Sequence, residues 1–277
     1  MSFIEVNIVT PDTTTQEIFT AELAELGFDT FEETSEGLYA YISKDAFDQA
    51  SLGELAERYA TAFTFDVHTR QVEKENWNKK WEENYDPIAV GDRCIVRATF
   101  HNIEKKYPYE IVISPKMSFG TGHHATTWQM LLLQMDIDFA NKSVLDVGSG
   151  TGVLAIMAHK LRAERIVVTD VDDWCIENSN DNFALNGMTE VESHKGKIAD
   201  LSIQGKFDII LANINKNVLL DEIPEYASLV KDKGMLLLSG FYDKDMDDIK
   251  KMASNYNLKP VKAVTKDSWT AGVFVKS

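Results

Sequence analysis

Three glycines at every second position, Gly148, Gly150 and Gly152, follow the apolar run Ser143–Val147 and precede an apolar-periodic stretch from Val153 to Leu161. A strand, a glycine turn and a helix in that order make the first crossover of a doubly wound α/β sheet, where ligands bind at the carboxyl ends of the strands. Glycine lets the backbone turn sharply and approach a ligand closely, because no Cβ intervenes. The spacing is G-x-G-x-G, with Asp146 just ahead of the turn and Val153 where a dinucleotide fingerprint has its third glycine. Asp170 follows Gly148 by 22 residues and ends a second strand, Ile166–Thr169. A carboxylate placed there can accept hydrogen bonds from both vicinal hydroxyls of a ribose. Phe207–Leu211 reads as a further strand, and Asn213 falls at its carboxyl end, beside the glycine turn in a doubly wound order. Its amide carbonyl can accept a hydrogen bond from an amine and its NH2 can donate one. The plainer alternatives are a tight strand-to-helix turn, a helix-capping Asp170 and a structural turn asparagine.

A second stretch rich in special residues is Met117-Ser118-Phe119-Gly120-Thr121-Gly122-His123-His124-Ala125-Thr126-Thr127, just before a helix read over Trp128–Met135. His123 and His124 are not read as metal ligands. Adjacent residues on a regular element do not converge, and no Cys/His/carboxylate cluster accompanies them. Thr126 or Thr127 either caps the helix or presents a hydroxyl to a ligand.

Around these groups the chain reads as α/β. The strand Val191–His194 follows the helix Trp174–Leu185, for which Asp172 and Asp173 are the cap candidates. Gly234–Ser239 is a strand, Asp243–Asn255 a helix, and Pro260–Val264 with Gly272–Val275 an antiparallel pair at the sheet edge. Nearer the start, the order is strand Phe3–Val9, helix to Leu26, strands Phe28–Glu32 and Leu38–Ile42, helix Ala46–Tyr59 and strand Phe63–Val67. That βαββαβ order fits a small ferredoxin-like module. The expected division is a ferredoxin-like domain over 1–70, a linker helix over 71–90 and a larger α/β domain over 91–277. In the linker, Trp77, Trp81 and Tyr85 recur every fourth residue and share one helix face. That face either packs on a domain or edges the site.

Composition narrows the function. A net charge of −16 argues against nucleic-acid binding, which needs Lys and Arg for phosphates. No run of eighteen apolar residues and no signal-peptide pattern are present, so a cytoplasmic protein is expected. Cys94 and Cys175 form no C-x-x-C pattern. Residues 1–70 hold fourteen acids against Lys44, Arg58 and Arg70, a net −11. That surface either aids solubility or attracts a basic protein.

The glycine spacing resembles the first motif of S-adenosylmethionine-dependent methyltransferases. Four stretches together resemble one family: Trp77-Asn78-Lys79-Lys80-Trp81, Phe119-Gly120-Thr121-Gly122-x-His124-x-Thr126-Thr127, the glycine turn with Asp170, and Ala212-Asn213-Ile214. They are similar to the bacterial ribosomal protein L-eleven methyltransferase family. His123 stands where that family usually has threonine, and Ala125 where it has proline. The resemblance implies a Rossmann-like, seven-stranded class I methyltransferase domain behind a substrate-recognition domain. It implies S-adenosylmethionine contacts at Thr127, Gly148, Gly150, Asp170 and Asn213, with Asn213 also orienting the target amine. It further implies a basic ribosomal protein as substrate, either free or on the ribosome, and neither DNA nor membrane as partner. Phe119, Trp77 and Trp269 are the aromatic candidates for the pocket walls. Two rivals stand beside it: a nicotinamide-dependent oxidoreductase, disfavoured by Val153, and a non-catalytic ribosome-associated module.

Overall fold

The computed structural model describes residues 2–73, 85–115 and 120–277, and the chain divides into two compact units, Met1–Asn84 and Tyr85–Ser277. In the first unit the elements are β1 (Ser2–Val9), α1 (Thr13–Glu25), β2 (Thr30–Glu33), β3 (Gly37–Ser43), α2 (Gln49–Tyr59) and β4 (Asp66–Glu73). The sheet order is β2-β3-β1-β4 with every neighbour antiparallel. Asp12 and Asp48 cap α1 and α2 by accepting from Thr15 N and from Ala50 N and Ser51 N. Val6, Ile8, Phe19, Leu23, Leu38, Leu52 and Leu55 close the core between helices and sheet.

The last strand of this unit departs from the sequence reading of Phe63–Val67. It starts at Asp66 and runs to Glu73, pairing from Val9↔Asp66 to Ser2↔Glu73. Phe65 lies outside the ladder and packs edge-on against Phe19, with ring centroids 4.6 Å apart. The apolar run thus marks a packed loop, and the strand itself is largely polar, as a sheet with one wet face allows. The expected linker helix over 71–90 is bounded by strands: β4 reaches Glu73 and β5 occupies Ile88–Val90. Its middle, with Trp77 and Trp81, lies outside the described residues.

The second unit begins with a three-stranded sheet of β5, β6 (Cys94–Ala98) and β7 (Tyr109–Ile113). Next come α3 (Ala125–Gln134), β8 (Ser143–Val147), α4 (Val153–Lys160), β9 (Arg165–Asp170), α5 (Asp173–Leu185) and β10 (Val191–Lys195). The chain then forms β11 (Phe207–Asn213), α6 (Lys216–Leu229), β12 (Val230–Tyr242), α7 (Met246–Ser254), β13 (Leu258–Lys266) and β14 (Trp269–Lys276). The seven-stranded sheet has the order β10-β9-β8-β11-β12-β14-β13. Strands β8 to β12 pair in parallel; β14 runs antiparallel to both β12 and β13. Val144, Leu211 and Leu237 face one core with α3 and α4, while Leu145, Ile210 and Leu236 face another with α6 and α7. Alternate side chains of each strand therefore pack on opposite layers.

The expected edge pair is resolved as β13 at the edge and β14 inside, between β12 and β13. The strand read over Gly234–Ser239 extends from Val230 to Tyr242, with a register shift between Ser239 and Phe241. The helix read from Asp243 opens as a 3₁₀ turn before α7. The helix α6, absent from the sequence reading, is capped by Asn215 and carries Pro224 within it.

Candidate functional site

The strand ends place the chemistry. β8 pairs with β9 on one side and β11 on the other, so the glycine turn, Asp170 and Asn213 emerge side by side at the carboxyl ends of three adjacent strands. Gly148 N and Ser149 N both donate to Thr169 O, at 2.8 and 3.0 Å, which folds the turn over the end of β9. Gly148, Gly150 and Gly152 take φ of +69°, +54° and +77°, left-handed values that side chains resist. At Gly148 a Cβ would stand 2.5 Å from Ile214 Cγ2. We expect Gly148→Ala to destabilise the fold by about 1–2 kcal/mol through left-handed strain, measurable as a lowered Tm, and to weaken nucleoside binding at the same turn.

Asp170 is nearly buried, and each carboxylate oxygen is already aimed. Oδ2 accepts from Gly150 N at 2.9 Å and Oδ1 from Asp172 N at 3.1 Å. An ionised carboxylate oxygen has room for a second donor, so both remain available to a pair of hydroxyls. Asp172 is the cap of α5, accepting from Trp174 N, as the sequence reading had it as a candidate.

Across the turn, Asn213 is half-buried. Its Nδ2 donates to Thr127 Oγ1 at 3.3 Å, and its Oδ1 is buried with no hydrogen-bond partner among the described residues. A buried amide oxygen left without a donor costs free energy, of order 1–3 kcal/mol. Thr169 Oγ1, also on the cavity wall, is likewise without a partner.

These groups share a cavity of about 590 Å³. Gly148, Gly150, Asp170 and Asn213 line it, together with Val171, Ile198, His124 and Trp269. Of the residues expected around a ligand, Thr127 is the exception. It is wholly buried, is not on the wall, and meets the cavity only through Asn213. Its neighbour Thr126 is on the wall, and its hydroxyl is 2.8 Å from His124 Nδ1. His124 caps α3, so of the two alternatives for the threonines the capping one falls to the histidine before them. His123 is turned elsewhere, with Nδ1 3.1 Å from Thr121 Oγ1 and its ring 4.7 Å from that of Tyr85. Phe119 and Trp77 lie outside the described residues. No group of three metal-ligating side chains occurs among the described residues. Sequence reasoning missed Gly240, Val218 and Glu222, which also line the cavity. The last two sit on α6, whose apolar spacing Leu219, Ile223, Tyr226 and Ala227 was the available signal.

Behind the turn, Asp146 is fully buried. Desolvation pushes its carboxyl up to about 8, the Ala155 N–H at 3.1 Å from Oδ2 draws it down, and the charge of Asp170 pushes it up again. Near neutral pH the buried acid is therefore mostly protonated. A folded-state value above the unfolded one means the stabilising effect is complete below about 4 and is lost as pH rises through about 8. Asp146→Asn, which is neutral at every pH, should gain on the native protein by at most about 1.4 kcal/mol per pH unit across that window. Urea denaturation of both proteins at pH 5 and pH 8 measures the difference. A gap independent of pH would show that Asp146 is ionised in the fold.

Asp170, Asn213 and the glycine turn thus share one cavity at the carboxyl ends of β8, β9 and β11. Comparison with known proteins gives this arrangement its kinship. Residues 5–277 match the profile of the family described as "Ribosomal protein L11 methyltransferase (PrmA)". A ribosomal protein L11 methyltransferase of Phocaeicola vulgatus is 38% identical over 279 residues, spanning 99% of each chain. The one from Porphyromonas gingivalis is 39% identical over 260 residues, 93% of this chain and 90% of its own. A crystal structure of the ribosomal protein L11 methylase from Lactobacillus delbrueckii subsp. bulgaricus superposes with a TM-score of 0.64 at 28% identity, covering 70% of this chain and 100% of that one. The fold is that of a class I methyltransferase, and this chain belongs to the ribosomal protein L11 methyltransferase (PrmA) family.

Proposed function

We propose that this methyltransferase moves methyl groups from S-adenosylmethionine to lysine side-chain or N-terminal amines of ribosomal protein L11. The observation that carries the reading is the pairing, in one cavity, of the doubly anchored Asp170 with the buried, unpartnered Asn213 Oδ1. When bound, S-adenosylmethionine supplies a methyl group on a sulfonium, and its loss leaves a neutral thioether. Asp170 holds the ribose through its two hydroxyls. Gly148 and Gly150 let the backbone lie against the nucleoside. Thr127 reaches the donor through Asn213, which it orients.

The amine must be neutral to use its lone pair. A lysine with an ordinary value of about 10.4 is mostly protonated at neutral pH. Entry into the cavity, away from bulk water, disfavours the charged form. Asn213 Oδ1 then accepts one amine N–H and turns the lone pair toward the methyl carbon. With the donor bound, that lone pair would take the methyl carbon as the C–S bond breaks, and the amine proton would leave to water. Positioning carries most of the rate. The N-terminal unit, with its net −11 over residues 1–70, serves as the docking surface for a cationic ribosomal protein in the cytoplasm.

Intact-mass spectrometry of ribosomal proteins, incubated with this protein and S-adenosylmethionine, tests the reading. Mass steps of one methylene on L11, mapped to amines, are the expected result. An unmodified L11 beside a bound donor would leave a binding module instead of an enzyme.

A further inference from the structure

The sheet order sets a direction in the cavity. Asp170 ends β9 and Asn213 ends β11, with β8 between them, so the exit of β10 lies on the far side of Asp170 from Asn213. That exit is tied to Asp170. Lys195 pairs with Asp170 in the β9–β10 ladder, and Gly196 N donates to Asp170 O at 2.8 Å. The turn continues to Ile198, which is buried in the core it shares with Leu219 and Ile223 of α6. Val218 and Glu222, four residues apart on α6, both line the cavity and so share one helix face.

This stretch of wall has two kinds of surface. Val171, Ile198 and Val218 offer apolar side chains, and Glu222 offers a carboxylate. The carboxylate is held in place. Tyr226, fully buried one turn further along α6, donates its hydroxyl to Glu222 Oε2 at 2.5 Å. Burial, and then the Glu222 carboxylate itself, push the Tyr226 hydroxyl up, so it stays a donor. An acceptor whose rotamer is set before the ligand arrives loses little entropy on binding. A carboxylate has about four lone-pair sites, so Oε1 has room for another donor.

In a nucleoside thioether the base and the sulfur leave the ribose from opposite ends, at C1′ and C5′. With the ribose at Asp170 and the sulfur toward Asn213, the base falls on the β10 side. A purine there needs apolar surfaces for its faces and a polar partner at its edge. The exocyclic amine of adenine donates, and a carboxylate only accepts.

We propose that Glu222 selects adenine, accepting a hydrogen bond from the exocyclic N6 amine through Oε1, with Tyr226 as the positioning residue for the carboxylate. The proposal rests on the methyl-donor reading above and adds to it a specificity residue on α6, outside the glycine turn and Asp170.

The test uses the full chain and two nucleosides: S-adenosylhomocysteine, and its 6-deamino analogue, in which hydrogen replaces the N6 amine. In calorimetry the native protein should bind the analogue about tenfold or more weakly than the parent, the loss of one hydrogen bond to a charged acceptor. Glu222→Leu should bind the parent about tenfold more weakly than native and should no longer tell the two nucleosides apart. Glu222→Gln keeps a neutral acceptor and should give an intermediate ratio. The ratio is the readout because the Leu variant also strands the Tyr226 hydroxyl, and a loosened fold weakens both nucleosides alike. Equal binding of parent and analogue by the native protein overturns the proposal. A ratio that Glu222→Leu leaves at its native value overturns it too, because the amine would then meet another group. A native protein that shows the expected ratio yet leaves L11 unmodified would sink the L11 reading and keep the role of Glu222. Retention of neither nucleoside would sink both.

Discussion

Replacing Asn213 with Ala should lower kcat for methyl transfer about a hundredfold or more while the Kd for S-adenosylhomocysteine changes only severalfold. The asymmetry follows from where the amide points. Its Nδ2 is taken by Thr127, and the buried Oδ1 has no partner until an amine enters. Removing the side chain deletes the group that aims the lone pair and frees Thr127 Oγ1. It leaves untouched the glycine turn and Asp170, to which the proposed reading assigns the nucleoside. Single-turnover methylation of L11, set against calorimetry with S-adenosylhomocysteine, separates the two effects. Equal losses in both would make Asn213 a donor-binding residue only.

Asp170→Ala is expected to show the opposite profile. Two hydrogen bonds to an ionised acceptor, each worth about 1.5–3 kcal/mol, are lost from the ribose. The Kd for S-adenosylhomocysteine should rise about a hundredfold or more, whereas kcat at saturating donor falls much less. The same carboxylate accepts from Gly150 N and Asp172 N, so part of the loss comes from a loosened turn. Asp170→Asn keeps one acceptor and should fall between the two. A 2′-deoxy analogue of the nucleoside, bound equally by native protein and Asp170→Ala, would isolate the ribose contribution. If native protein bound the deoxy analogue as tightly as the parent, Asp170 would have no role at the 2′-hydroxyl.

The parallel core of the fold was legible because its signals are local. The run Ser143–Val147, three alternating glycines and the apolar face of α4 lie within two dozen residues and name a βα crossover by themselves. Asp170 and Asn213 were legible for the same reason, each closing an apolar strand. The rest depended on contacts made far along the chain. Tyr242 and Trp269 are brought together only by the β12–β14 register, which a one-dimensional reading does not contain. Thr127 looks like its neighbour Thr126 in sequence, yet one faces the cavity and the other the interior, because successive helix positions point about 100° apart. The helix α6 was hidden by Pro224, which ordinarily breaks a helix interior. The strand β4 was misplaced because Phe63 and Phe65 are more apolar than the ladder that follows them.

The hairpin of β13 and β14 has a consequence for how such an enzyme diverges. The glycine turn, Asp170 and Asn213 stand at the ends of parallel strands, where each alteration disturbs a crossover. Trp269 comes instead from the tip of an antiparallel ribbon that closes on itself. Residues at that tip can be exchanged without re-threading the sheet. One half of the cavity is thus constrained by topology, and the other is free to be retuned by point substitution. With the methyl donor held at the strand ends as proposed, acceptor preference can change at the hairpin alone.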